Sequence, residues 1–371
     1  MNRRDWLKSA GALGVAASLP VESFAMPATS GPAKIETEIK RLNLRHTWTT
    51  TMSSSEYRDT LHVRYTRDGI TGYGEGAPIV RYKEDAKSAQ AAVQSVHDLL
   101  ANTHPWHVEE LETEIWKRVP GEWAGKSAMD IALMDWLGKK LGIPLYQYFG
   151  LDPAKAPVTT FSIGMDKPEV VRQKVAEAEQ FPVLKVKVGL STDEEMIASV
   201  RSATKKPLRV DANEGWTNKE EAVKKINWLA TQGVEFIEQP IPASMIGDIR
   251  WIRERVNIPI FADEACERPA DVVKCANAGF DGVNIKLDKA GGVRAAYTAI
   301  KMAKALGLKT MLGCMISSSC TCTAAAHLSP LVDYADIDGP LLIANDPYRG
   351  VTVKDGKLVL PDGPGLGLKV L

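Results

Sequence analysis

From about residue 156 the chain repeats one unit, a short apolar run followed by a stretch of helical period, and no other feature limits its fold as much. Eight runs read as strands: 158–163, 184–188, 208–210, 234–237, 258–261, 282–285, 308–312 and 334–337. Amphipathic segments such as 168–180, 219–232 and 293–306 lie between them. Strands alternating with helices of this size imply a parallel sheet, and eight units imply closure into a barrel. Lys187, Asp211, Glu238, Asp263, Lys286 and Asp338 each stand at or just past the C-terminal end of a strand candidate. The first five are 24, 27, 25 and 23 residues apart, near the roughly thirty residues of one barrel unit. They therefore gather on the face where such barrels hold their chemistry. One polar residue at a strand end often marks only the chain leaving the core; five ionisable groups in register point to a site.

Asp211, Glu238 and Asp263 offer three carboxylates from three successive strands. Hard oxygen ligands on rigid strands suit Mg²⁺, and the lack of Cys and His in the trio argues against zinc. Asn213 and Glu264 follow closely and are placed to orient the ligands. In Lys185-Val186-Lys187 strand alternation points both lysines the same way, into the barrel. Burying two ammonium groups together disfavours their charged form, which predicts a lowered lysine pKa and a usable base. Lys286 comes from the opposite flank. A base on each side of a metal-held carbanion is the arrangement that inverts a stereocentre.

Ahead of the barrel, residues 33–125 read as an α+β capping domain. Its strands are 35–44, 60–66 and 72–76, with hairpin signals at Asp68-Gly69 and Thr71-Gly72, and its helices are 87–102 and 108–119. An amphipathic helix over 128–141 joins it to the barrel, which spans 126–345. The turn-rich segment 346–371 is expected to pack back on the cap. Residues 1–25 are set apart as an export signal, with Arg3-Arg4 ahead of a weakly apolar stretch and Ser23-Phe24-Ala25 at the cleavage position. The paired arginines resemble a twin-arginine signal, so a periplasmic location is expected. Lys+Arg and Asp+Glu are both 46, so the broad basic field of a nucleic-acid or membrane binder is missing. Five cysteines over this length do not make a disulfide framework, and Cys320-x-Cys322 reads as packing thiols at the start of a helix. Nothing in the sequence fixes the oligomeric state, so a homo-oligomer stays open.

Lys185-x-Lys187, Asp211-x-Asn213, Glu238-Gln239-Pro240, Asp263-Glu264 and Lys286 together resemble the enolase superfamily, in its muconate-lactonizing-enzyme subgroup. The helix over 128–136 is similar to that family's domain junction, and the likeness runs from about Ile35 to Leu371. The resemblance implies a modified (β/α) barrel with a capping domain, one Mg²⁺ per subunit, and removal of a proton beside a carboxylate to give an enediolate. It implies Lys187 and Lys286 as the acid/base pair, Lys185 as the group that neutralises the enediolate and tunes Lys187, and Asp211, Glu238 and Asp263 as metal ligands.

These residues are common to the subgroup's cycloisomerases, succinylbenzoate synthases, N-acylamino-acid racemases and dipeptide epimerases. The end of the last strand, Asp336-Ile337-Asp338-Gly339-Pro340, separates them. Two acids at alternate positions face one way and suit a cation such as the free ammonium of a dipeptide. The motif resembles that of dipeptide epimerases, as do Asn345-Asp346-Pro347 and the segment 360–365. Arg58, near the end of the polar loop 46–59, and Arg81, within 79–83, are candidates to meet an acidic side chain. An exported epimerase would have cell-wall peptides in reach, including L-Ala-D/L-Glu. A binding protein without turnover is the contrasting class, but it has no need of two opposed bases.

Overall fold

The computed structural model describes residues 31–371, so the export signal expected over 1–25 lies outside the described residues. The cap is built on a three-stranded antiparallel meander of β1 (Lys34–Thr49), β2 (Ser54–Arg67) and β3 (Ile70–Gly76). Asp68-Gly69 makes the β2–β3 turn with both φ values positive (53° and 74°), as a two-residue hairpin requires. The expected loop over 46–59 is mostly paired strand, since β1 continues to Thr49 and β2 resumes at Ser54. This long hairpin leans on the barrel: the Thr51 hydroxyl donates to the Asn213 carbonyl (2.7 Å) and the Met165 N–H to that of Thr49 (3.2 Å). The helices α1 (Ala86–Ser95), α2 (His97–Asn102), α3 (Val108–Arg118) and α4 (Trp123–Leu141) complete the cap and its junction.

Thr71-Gly72, expected as a hairpin signal, lies inside β3 instead. Gly72, Gly74 and Gly76 face α4 so closely that an added Cβ would come within 2.0 Å of the carbonyl oxygens of Ala132, Ala128 and Ala124. Glycine serves close approach here rather than a turn. The match is geometric: two residues of strand advance about 6.7 Å and four of helix about 6 Å, so three contacts stay in step. On its other sides α4 binds both remaining parts of the molecule. Buried Asp130 accepts from the Val293 N–H (2.6 Å) in the barrel, and buried Asp135 accepts from Tyr73 (2.8 Å) in the cap and Leu366 (2.7 Å) in the tail.

The eight apolar runs form eight parallel strands in sequential order. They are β4 (Phe161–Ile163), β5 (Leu184–Lys187), β6 (Leu208–Asp211), β7 (Val234–Glu238), β8 (Ile260–Ala262), β9 (Gly282–Ile285), β10 (Lys309–Gly313) and β11 (Tyr334–Asp336). A single bridge, Thr159 with Ala335, joins the first strand to the last. The helices between them are α5 (Pro168–Glu177), α6 (Asp193–Ala203), α7 (Lys219–Thr231), α8 (Ile249–Arg253), α9 (Asp271–Ala278), α10 (Val293–Ala305) and α11 (Ser319–Ala326). Cys320 and Cys322 are buried free thiols within α11. The tail returns to the cap, where Tyr348 stacks on His62 (5.6 Å between centroids), and its Leu366 carbonyl lies 3.3 Å from His327 Nε2 in the barrel.

Candidate active site

Strands β5, β6 and β7 end level with one another, which sets Lys187 beside Asp211 and Asp211 beside Glu238. Asp263 follows β8 and Lys286 follows β9 directly. Because β5 to β9 are successive neighbours in the sheet, the two lysines flank three carboxylates from opposite sides. Lys187 Nζ donates to Asp211 Oδ2 (2.5 Å) and Lys286 Nζ to Asp263 Oδ2 (2.8 Å). Lys185, on the same side of β5 as Lys187, lies 3.2 Å from Asp211 Oδ2, 2.8 Å from Glu238 Oε2 and 2.7 Å from Asp336 Oδ2. All seven side chains are buried.

The electrostatics correct the expectation of a lowered lysine pKa at Lys185. Burial pulls Lys185 down, but Asp336, then Glu238 and Asp211, outweigh it and hold the ammonium well above its usual range. Lys286 is raised in the same way, burial being overcome first by Asp263. Carboxylates, not the proximity of a second ammonium, dominate these lysines, so a basic role needs that negative field offset. The acids diverge. Burial opposes ionisation of Asp263, yet Lys286 and Lys289 hold it well below the usual range, while burial and then Asp211 push Glu238 up to about 8.

An excess of buried carboxylate is what a divalent cation would stabilise. Oxygens of Asp211, Glu238 and Asp263 lie within 4.8 Å of one another. Beside them, Asn213 Nδ2 donates to Glu264 Oε1 (3.1 Å), while Asn213 Oδ1 and Glu264 Oε2 are buried with no hydrogen-bond partner. An all-oxygen set with spare acceptors fits Mg²⁺. The loops that carry it are strained: Asn213 (φ 39°), Glu214 (63°) and Gln239 (36°) are three of the seven left-handed non-glycine residues among those described. Each such conformation costs roughly 1–3 kcal/mol and persists only where the surroundings fix it. Here the Asn213 N–H donates to Asp211 Oδ1 (2.9 Å), and Gln239 Oε1 accepts from the Asp263 and Ala265 N–H groups (3.0 and 3.1 Å).

The lysines and Asp263 line a cavity of about 350 Å³. Asp336 and Asp338 line it too, both buried, but they differ. Both Asp336 oxygens are engaged, Oδ2 by Lys185 and Oδ1 by the Thr160 hydroxyl and, at 3.3 Å, that of Ser162. Burial opposes its charge, but Lys185 brings its pKa down to about 2. Asp338 Oδ2 accepts the Ser162 N–H (2.7 Å), and burial followed by Asp336 raises its pKa to about 7. It is the acid of the pair that a substrate cation would relieve. The two arginines also part company. Arg81 is committed to Glu214 by two parallel hydrogen bonds (2.6 and 3.0 Å), although it lines the cavity. Arg58 donates to the Tyr57 carbonyl (3.0 Å) and, among the described residues, joins no ion pair.

Two working residues, Lys289 and Asn284, escaped the sequence. Lys289 is buried with its ammonium on Asp263 Oδ1, the Asp263 carbonyl (2.5 Å) and the Asn284 carbonyl (3.0 Å). Asn284 donates to Glu238 Oε1 (2.7 Å). The alternation Asn284-x-Lys286, the same as in Lys185-x-Lys187, was a signal that could have found it. Lys289, on a one-turn helix after β9, carries no such pattern.

Residues 34–150 match the family model for the mandelate racemase/muconate lactonizing enzyme N-terminal domain, and residues 169–371 that of the enolase C-terminal domain-like family. The chain is 40% identical to an L-Ala-D/L-Glu epimerase of Bacteroides thetaiotaomicron over 99% of both chains. It is 44% identical to an L-Ala-D/L-amino acid epimerase of Pedosphaera parvula over 89% of this chain and 96% of that one. Among solved structures, a dipeptide epimerase of Cytophaga hutchinsonii complexed with Mg and D-Ala-L-Val superposes with a TM-score of 0.88 at 27% identity, covering 92% of this chain and 96% of the other.

Proposed function

The chain belongs to the muconate-lactonizing subgroup of the enolase superfamily and is an isomerase of the dipeptide-epimerase kind, and we propose that it epimerises L-Ala-D/L-Glu at the α-carbon of the C-terminal residue. One observation carries the reading: two buried lysines flank a carboxylate trio and, with Asp263 of that trio, line a cavity that a buried acid pair also lines. Asp211, Glu238 and Asp263 would hold Mg²⁺, which supplies positive charge beside the substrate carboxylate. Lys187 Nζ removes the α-proton from one face and Lys286 Nζ returns one to the other; for the opposite isomer the roles exchange. Lys185 Nζ, held by Asp211, Glu238 and Asp336, faces the negative charge that grows on the substrate carboxylate. Asp338 takes the substrate ammonium, with Asp336 adding charge behind it. Arg58, without an acidic partner among the described residues, lines the cavity and takes the glutamate side chain.

We infer a periplasmic setting from the sequence of residues 1–25, with cell-wall peptides as the pool. A second reading has one observation in its favour: Met52, Ile79 and Val80 also line the cavity, and Val80 is 69% exposed, which suits an apolar second residue. The test of the whole reading is kcat/KM for L-Ala-L-Glu against its N-acetyl form. Preference for the free dipeptide is expected. A ratio at or below one replaces the dipeptide reading with an N-acylamino-acid racemase, and faster turnover of L-Ala-L-Leu than L-Ala-L-Glu favours the apolar second residue.

A further inference from the structure

Asp263 carries an ammonium on each carboxylate oxygen, Lys286 on Oδ2 (2.8 Å) and Lys289 on Oδ1. The two lysines are placed differently. Lys286 lines the substrate cavity, and Lys289 does not. The Lys289 side chain is wholly buried on the one-turn helix Leu287–Ala290. Its Nζ donates as well to the carbonyls of Asp263 (2.5 Å) and Asn284 (3.0 Å), so three bonds hold it. We infer that Lys289 is a positioning residue: it keeps Asp263 aimed with the carboxylate trio while Lys286 leaves Asp263 for the substrate. The inference rests on the two-base reading above.

A base must reach the substrate α-carbon, so Lys286 cannot stay on Asp263 through a turnover. Were it the only partner, its departure would leave a buried carboxylate uncompensated, which is costly. The carboxylate would then hold the lysine back or swing after it. A second ammonium on the other oxygen removes that penalty, provided that it stays in place. The turn that carries Lys289 is pinned to the cap at two points. Asp288 Oδ1 accepts the Ala77 N–H (2.8 Å). The Lys289 carbonyl accepts from Arg268 Nη1 (2.6 Å), and the Arg268 guanidinium lies 3.6 Å from the centre of the Trp123 ring, at the start of α4. Asn284, whose carbonyl takes the Lys289 ammonium, gives its side-chain amide to Glu238 Oε1 (2.7 Å). One stretch, 284–289, thus fixes two of the three trio members from the protein side.

The first test is the Mg²⁺ affinity of Lys289→Met, measured by calorimetry on substrate-free protein. Coulomb's law alone makes the loss of an ammonium beside the site tighten Mg²⁺ binding. Loss of aim weakens it, by about ten- to a hundredfold when a partner of a metal ligand is removed. Weaker binding is expected; unchanged or tighter binding overturns the inference. Lys289→Gln keeps a donor for the carbonyls without the charge, so it guards against a Met variant that does not fold, and it should shift affinity the same way. The second test is the ratio of deuterium exchange to inversion in D₂O, for the isomer that Lys286→Ala still exchanges. With Lys286 held back on Asp263, the enediolate returns to Lys187 more often, so the ratio should rise above that of wild type in both Lys289 variants. A merely structural defect lowers both rates together, and a ratio no higher than wild type overturns the inference. A wild type that binds no Mg²⁺ overturns it along with the metal assignment. A wild type that binds Mg²⁺ but turns over no dipeptide is a separate failure: it removes the function proposed above, and the affinity comparison still decides the role of Lys289.

Discussion

Gly74→Ala tests how the cap is mounted. The new Cβ would lie 2.0 Å from the Ala128 oxygen, 2.7 Å from the Ala132 nitrogen and 3.0 Å from the Ala128 carbonyl carbon. All three are backbone atoms of α4, so no side chain can swing aside. A carbon–oxygen contact normally sits near 3.3 Å, so β3 and α4 must part by about 1.3 Å. A gap of that size forfeits much of the dispersion energy between the facing surfaces. Leu61, Val63, Met129 and Trp136, all buried in this core, would lose contacts together. Overpacking costs typically about 1–3 kcal/mol, and backbone on one side of the clash puts this case near the top. Urea unfolding should show the loss as a midpoint lowered by about 1 M. Gly247→Ala is the control, because nothing lies within 4 Å of its added Cβ; it should stay within about 0.5 kcal/mol of wild type. A Gly74→Ala midpoint equal to that of the control would refute the close-approach reasoning.

EDTA should abolish epimerisation and Mg²⁺ restore it, and full activity in rigorously metal-free protein would contradict the role given to Asp211, Glu238 and Asp263. Asp338→Asn removes a charge-assisted contact worth about 1.5–3 kcal/mol, so kcat/KM for L-Ala-L-Glu should drop roughly ten- to a hundredfold; equal losses for the N-acetyl compound would argue against an ammonium there. His327, buried with Nδ1 accepting the Tyr146 N–H (3.2 Å) and Nε2 on the Leu366 carbonyl, has its pKa lowered by burial from 6.5 to about 4. Above pH 6.5 it is neutral folded or unfolded; as pH falls toward 4 the unfolded chain takes the proton first, so stability declines by up to about 3 kcal/mol. Urea midpoints at pH 7.5 and 4.5 should differ less in His327→Gln than in wild type, and identical pH dependence would exclude this histidine as the cause.

The barrel was legible because eight short apolar-rich runs alternate with helical patterns and most of them end at or just before a charge, as at Ile237-Glu238 and Ala262-Asp263. Local periodicity carries that information. What it does not carry is pairing between distant residues. Arg81 looked like a substrate contact because nothing nearby marks Glu214, 133 positions away, as its partner. The pKa of Lys185 went the wrong way for the same reason, since it meets Asp336 from 151 positions away. Thr71-Gly72 was misread because Gly-x-Gly-x-Gly can mean turns or close packing, and only the alanines at 124, 128 and 132 decide which. The loop over 46–59 hid strand because its Thr and Ser residues are equally at home in a solvent-facing hairpin.

Deuterium exchange in the lysine variants bears most directly on two-base transfer. Lys187→Ala and Lys286→Ala are each incubated in D₂O with L-Ala-L-Glu and, separately, with L-Ala-D-Glu. Mass spectrometry and chiral separation then follow label and configuration at the glutamate α-carbon. With one base on each face, neither variant interconverts the isomers, and each can exchange only the isomer whose proton points at the lysine it retains, so the two variants differ in which isomer they label. Lys286→Ala that epimerises at near the wild-type rate, or variants that both label both isomers, would contradict the assignment of Lys187 and Lys286 to opposite faces.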